Sequence, residues 1–218
     1  MRTRFDQELK AMHDDLISMA SSVETAISRA VEALKYRDPQ LAKQTVAGDR
    51  QIDQKERAIE STCLKLLLQQ QPVARDLREI STALKMITDM ERMGDLAEDI
   101  AEVTLFLCKR PTYSTPERVS YMAEATIKMV RDAIDAFIMK DLGKAHSVIA
   151  YDDIVDQLFV ETRQELIETI HASLVDAEQA VDIMMIAKYF ERIGDHAVNI
   201  SEWVEFSITG THKNTRVL

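Results

Sequence analysis

The 218-residue sequence predicts an all-α protein: two tandem three-helix bundles, six long helices in all, related by pseudo-two-fold symmetry. Three observations predict it. Five glycines, four prolines and 6% aromatic residues leave too few turn and strand formers for a sheet protein, and the 46% hydrophobic residues suffice for a core. Apolar residues recur at steps of three and four through most of the chain. One segment also occurs twice, Glu91-Arg-Met-Gly-Asp95-Leu-Ala-Glu-Asp99-Ile-Ala-Glu102 and Glu191-Arg-Ile-Gly-Asp195-His-Ala-Val-Asn199-Ile-Ser-Glu202.

The first helix is marked by Phe5, Leu9, Met12, Leu16, Met19, Val23, Ile27, Ala30 and Leu34. Asp38-Pro39 stops it and starts the second, with Asp38 as N-cap and Pro39 as first helical residue. That helix has the stripe Ala42, Thr45, Asp49, Ile52, Glu56, Ile59, Cys63, Leu66, and Gln71-Pro72 closes it. The third begins near Pro72 and runs through Ile80, Leu84, Ile87 and Ala97 toward Leu105, before Pro111 and a Thr115-Pro116 cap pair. Val119, Met122, Thr126, Met129, Ala133 and Phe137 mark the fourth, and Asp141 caps the fifth. The fifth stripe reads Leu142, Ala145, Ile149, Asp152, Asp156, Phe159, Leu166. Ser173 and Asp176 offer a capping pair for the sixth, whose stripe is Ile183, Ile186, Phe190, Ile193, Ala197, Ile200, Val204. Short connections make successive helices antiparallel neighbours, so residues 1–112 and 113–210 each form an up-down-up bundle. The polar tail 211–218 is expected to be frayed.

A net charge of −10 opposes nucleic acid and bare anionic membrane as partners and favours cations and basic protein surfaces. Cys63 and Cys108, far apart and in no C-x-x-C pattern, read as buried thiols of a reducing compartment. The N-terminal residues form no apolar leader, and no stretch reaches the ~18 to 20 apolar residues of a membrane span. The expectation is a soluble cytoplasmic protein with no membrane insertion.

Acids stand where the helical pattern calls for carbon. Asp49 and Asp53 on the second helix, and Asp152 and Asp156 on the fifth, are both D-x-x-x-D. Glu91, Asp95 and Asp99 on the third helix, and Glu191, Asp195 and Asn199 on the sixth, repeat at a spacing of four that stacks side chains on one face. Like charges so spaced repel, and burying them unpaired costs more. Gly94 and Gly194 add about 1 kcal/mol of helix cost each, which a close helix approach would justify. Facing each other in pairs, these residues form oxygen-rich sites for a hard cation such as Mg²⁺, Mn²⁺, Ca²⁺ or iron. A solvated acidic face, or pairing with Arg92, Arg192, Lys55 or Arg163, is the alternative reading. The stretch Gln70-Gln-Pro-Val-Ala-Arg75-Asp-Leu-Arg78 has no second copy. Arg75 and Arg78 share a helical face near an N-terminus, suited to an acidic partner or to internal bridges.

These motifs resemble the PhoU family of phosphate-uptake regulators over nearly the whole chain. The resemblance runs through Arg2-x-x-Phe5-x-x-x-Leu9, Asp49-x-x-Ile-Asp53, Pro72-x-x-Arg75-Asp-Leu-Arg78 and both E-R-[M/I]-G-D segments. It implies two three-helix bundles, a homodimer, and multinuclear sites for iron, manganese or magnesium at the paired acidic motifs. Asn199 in place of a third acid would weaken the charge of the second site. It further implies a cytoplasmic, non-enzymatic adaptor that restrains phosphate uptake and the phosphate-starvation response. Its partners would be the ATPase subunit of the phosphate-specific ABC transporter and a sensor histidine kinase. A carboxylate-bridged di-metal oxidase, or a metal-storage bundle, is the competing class, but only Glu168-x-x-His171 offers the Glu-x-x-His motif that oxidase bundles use twice.

Overall fold

A computed structural model describes residues 2–70, 73–110, 115–172, 176–213 and 215–216. Pro72, Pro111 and Ser173, given punctuating roles above, lie outside the described residues. Six helices make up almost all of the rest: α1 Arg2–Tyr36, α2 Pro39–Gln70, α3 Ala74–Cys108, α4 Glu117–Met139, α5 Leu142–His171 and α6 Ala177–Thr209. None is long and apolar enough to cross a membrane.

The turns inside each repeat are built alike. Arg37 and Lys140 both adopt a left-handed backbone, φ 51° and 53°, and each is followed by an aspartate cap. Asp38 Oδ1 accepts from the amides of Gln40 and Leu41 at 2.8 and 3.1 Å, and Asp141 Oδ1 from that of Lys144 at 3.0 Å. Asp176 caps α6 through the Glu178 amide. The expected Thr115-Pro116 cap is not formed as a side-chain cap: Pro116 occupies the N-cap position and offers no acceptor. The third helix likewise starts at Ala74 behind Val73, without a side-chain cap.

α1, α2 and α3 pack mutually, as do α4, α5 and α6, and the halves join through α3 against α6 and α1 against α4. α2 and α5 contact only their own repeat, so they form the outer layers. One hydrophobic cluster runs through both repeats, from Met12 and Leu16 through Ile87, Met90 and Ile100 to Met129, Phe190 and Ile200. The predicted stripes of α1, α4 and α6 are the buried ones apart from half-buried Leu9 and Phe137. The α5 stripe needs correction. Its buried line is Ala145, Val148, Val155, Thr162 and Leu166, whereas Ile149 and Phe159 are half-buried and Asp156 is exposed. Two neighbouring apolar rows share that helix, and a three-four count can follow either. Cys63 is buried as expected, but Cys108 is only half-buried.

The tail is not frayed throughout. Gly210, at φ 78°, ends α6 in the left-handed region that favours glycine. Thr211–His212 (β1) then pairs antiparallel with Thr215–Arg216 (β2), and the His212 ring stacks on Trp203 at 3.9 Å.

Glu79 ties the two repeats together near the start of α3. Its carboxylate meets Lys140 Nζ at 2.9 Å, His13 Nε2 at 3.4 Å and Arg75 Nε at 3.5 Å, while the His13 ring stacks on Phe137 of α4. The His13 hydrogen bond, then Lys140, hold the Glu79 pKa down at about 2 despite burial. A depressed carboxylate stabilises the fold above its unfolded pKa and loses that contribution as pH falls through the folded value. Glu79→Gln should therefore cost roughly 2 kcal/mol at pH 7, with the gap to wild type closing near pH 2, as read by urea denaturation across that range.

Candidate metal centre

The helical register brings three carboxylates together where α2 meets α3. Asp49 and Asp53 lie one turn apart on α2 and Asp95 faces them from α3, each offering an oxygen within 4.8 Å of the others. All three are half-buried. Gly94 makes the approach possible: a Cβ there would lie 3.0 Å from Ile52 Cδ1 and 3.1 Å from Asp49 Oδ1. Burial first, then Asp95 and Asp53, push the Asp49 pKa up to about 6. Burial first, then Asp49, Glu102, Asp95 and Asp99, push Glu98 up to about 7, and its side chain hydrogen-bonds Asp49. Glu91, at the rim, is shifted upward by burial and by Asp95.

Positive partners answer only part of this charge. Arg92 Nη1 reaches Asp95 Oδ2 at 2.7 Å and Arg57 reaches Asp53 at 3.5 Å, so the salt-bridge reading holds at the edges. Lys55 instead bonds Ser18. Asp49 Oδ1 is buried and has no hydrogen-bond partner, as is Asp152 Oδ1 in the second repeat. An orphaned buried oxygen among acids, with no thiol or imidazole in the group, fits a hard oxygen-seeking cation.

The second repeat is looser. Asp152 is raised to about 6 by burial, then by Asp156, Asp195 and Glu191, and Asp195 is raised by burial and Glu191. Asp156 and Asp195 are nevertheless exposed, and Glu191 forms an ion pair with Lys188. Among the described residues only the first repeat's aspartates converge within 4.8 Å. Gly194 again sits against its aspartate, with 3.3 Å from the Cβ position to Asp152 Oδ1 and 3.6 Å to the next atoms. The two glycines should then respond differently to alanine. Gly94→Ala crowds Ile52 and Asp49, and overpacking outweighs the helix gain for a net loss of about 1 kcal/mol. Gly194→Ala should be neutral or up to about 1 kcal/mol stabilising, both read by urea unfolding.

The third position of each acidic motif does not face the outer helix as its neighbours do. Eight residues at 3.6 per turn rotate a side chain by about 80° around the axis. Asn199 accordingly donates Nδ2 to Asp89 Oδ1 of α3 at 3.2 Å, and His196 Nδ1 meets the same oxygen at 2.9 Å. Asp99 has Glu102, Asp95 and, across the seam, Arg192 as its charged neighbours. Glu98 was the acid missed in sequence. The signal was the one-sided substitution within the repeat, Glu98 against Val198. Arg75 is exposed and bridges to Glu79, while half-buried Arg78 leaves its Nε buried without a partner.

Fold and site together define a class: an all-α protein of two homologous three-helix repeats, each with a carboxylate cluster between its second and third helices. The PhoU domain model matches residues 16–104 and again residues 119–204. The chain is 34% identical over 210 residues to the phosphate-specific transport system accessory protein PhoU homolog of Clostridium acetobutylicum, covering 96% of each. It is 35% identical over 211 residues to the homolog of Pseudomonas aeruginosa, covering 95% of this chain and 86% of that one. The crystal structure of PhoU from Pseudomonas aeruginosa superposes with a TM-score of 0.91 at 35% identity, covering 95% of this chain and all (100%) of that one. The phosphate transport system regulatory protein PhoU from Streptococcus pneumoniae gives 0.89 at 28% identity, covering 95% and 98%. The chain belongs to the PhoU family, whose curated members carry the name of accessory proteins to phosphate-specific transport.

Proposed function

We propose that this protein restrains phosphate uptake and keeps the phosphate-starvation response off when phosphate is plentiful. It acts by contact rather than catalysis, as a cytoplasmic homodimeric adaptor between the ATPase subunit of the phosphate-specific ABC transporter and a membrane sensor histidine kinase. The observation that carries this reading is the match over both repeats and nearly the full length to accessory proteins of phosphate transport. Deleting the gene and measuring phosphate uptake and starvation-gene expression at high phosphate tests it. Both should rise, and unchanged readouts would overturn the reading.

Within that role, Asp49, Asp53 and Asp95, with Glu91 and Glu98 at the rim, would hold iron, manganese or magnesium in the first repeat. Asp152, Asp156, Glu191 and Asp195 would form the weaker second site. A bound cation would neutralise the carboxylates and clamp the outer helix to the seam helix. The convergence of the three aspartates and the orphaned Asp49 oxygen support this assignment. Arg75 and Arg78 are the proposed contact for an acidic surface of a partner. Arg75 already shares Glu79 with Lys140, so a partner acid would compete with that internal bridge.

A further inference from the structure

The two repeats differ where the first and second helices of each run side by side. Asp49 corresponds to Asp152 and the cap Asp38 to Asp141. By the same offset, Gly48 corresponds to Tyr151, Thr25 to Lys128 and Arg29 to Asp132. In the second repeat this place is filled from within. Tyr151 packs on the core with Lys128 Nζ 4.6 Å above its ring, and Lys128 is in turn held by Asp132 at 2.6 Å. In the first repeat it is open. A groove of about 220 Å³ lies between α1 and α2, with Gly48, Ala26 and Ile52 among its walls. A Cβ added at Gly48 would meet nothing within 4 Å, so no helix contact demands glycine there.

The groove is also unusual in charge. No acid lines it, in a protein of net charge −10. Arg29 lies at one end, beside Gln44, with no salt bridge or hydrogen bond among the described residues. Lys55, one turn beyond Gln51 and outside the groove's lining, is bonded among the described residues only to Ser18, through the serine carbonyl at 3.0 Å and hydroxyl at 2.6 Å. From Ser18 to Arg29 along α1 is about 16 Å at 1.5 Å per residue, the length of a short peptide.

We propose that this groove is a docking site for an acidic segment of a partner protein that inserts one aromatic side chain over Gly48. The ring takes the place that Tyr151 fills in the second repeat, and acids on either side of it meet Arg29 and Lys55. Burial of the ring supplies the anchor, and the two end charges set its direction and register.

Fluorescence anisotropy with a labelled heptapeptide of Asp and Glu around a central Tyr, and its central-Ala counterpart, tests this on the full chain. The Tyr peptide should bind about tenfold tighter than the Ala peptide, as expected for a seated aromatic anchor. Gly48→Tyr copies the second repeat, should leave the melting temperature equal or raised, and should remove the preference for the Tyr peptide. Arg29→Asp, at an exposed position, should weaken the Tyr peptide several-fold without changing the melt. Equal binding of the two peptides, wild-type affinity in either variant, or displacement of the peptide by millimolar inorganic phosphate would overturn the proposal, the last in favour of a small-anion site.

Discussion

Manganese or ferrous iron should raise the melting temperature of the wild-type protein at pH 8, and Asp49→Asn with Asp95→Asn should remove most of that rise. At a cation concentration about a hundredfold above the dissociation constant, linkage supplies about 2.7 kcal/mol. For a chain of this length that is roughly 5–10 °C. The larger share falls to the first repeat because its three aspartates already converge within 4.8 Å, whereas Asp156 and Asp195 of the second are exposed. Asp195→Asn should therefore cost less of the shift than Asp95→Asn. Metal content by elemental analysis that stays at the wild-type level after Asp95→Asn and Asp195→Asn together would defeat the assignment.

The same carboxylates give this prediction a pH signature. Asp49 and Asp152, raised to about 6, and Glu98, raised to about 7, are stabilising only while protonated. A group whose folded pKa is raised contributes fully below its unfolded value, and that contribution is lost as pH rises through the folded one. The metal-free protein should thus lose stability between about pH 4 and pH 7. Cations compete with those protons, so the metal-induced shift should be small at pH 5 and largest at pH 8. Asp49→Asn alone, without metal, should flatten the loss by about 1 kcal/mol at pH 8, since it removes a half-buried charge facing Asp53 and Asp95.

How far the sequence reached depends on what each signal measures. Helix positions and the pairing of Asp49 and Asp53 with Asp95 follow from a period of 3.6 and from short connections, both local properties. Gly94 also carries three-dimensional information, because a close neighbour, here Ile52 and Asp49, offsets the cost of a glycine inside a helix. Asn199 shows where spacing fails: a step of four keeps a face for one turn, but two steps turn it toward the seam and Asp89. The order of the tail rests on one long-range stack, His212 on Trp203, that no local pattern announces. Glu98 was hidden for a different reason. It is one of four acids in the eight positions from Asp95 to Glu102, and only its partner on α2, Asp49, singles it out.

Phe190→Ala should destabilise the whole molecule in a single transition. Phe190 is fully buried on α6, and its carbonyl accepts from Thr126 Oγ1 of α4 at 3.3 Å. Truncating a buried phenylalanine to alanine costs about 3–5 kcal/mol, or roughly 10 °C here. The distribution of that loss discriminates more than its size. The repeats share one hydrophobic cluster through α3 and α6, and Glu24 of α1 is bound by Arg131 of α4 at 2.9 Å. Neither repeat therefore keeps its core when the other opens. Calorimetry should show one peak, moved down as a unit, for both wild type and variant. A melt that splits, with the first repeat's transition left at its wild-type temperature, would mean that the seam is an interface between two self-sufficient bundles. The cation should still separate the sites within the intact fold. The cavity lies one residue from Glu191 and loosens the second site, while Asp49, Asp53 and Asp95 retain their geometry, so Phe190→Ala should keep most of the metal-induced shift that Asp49→Asn with Asp95→Asn removes.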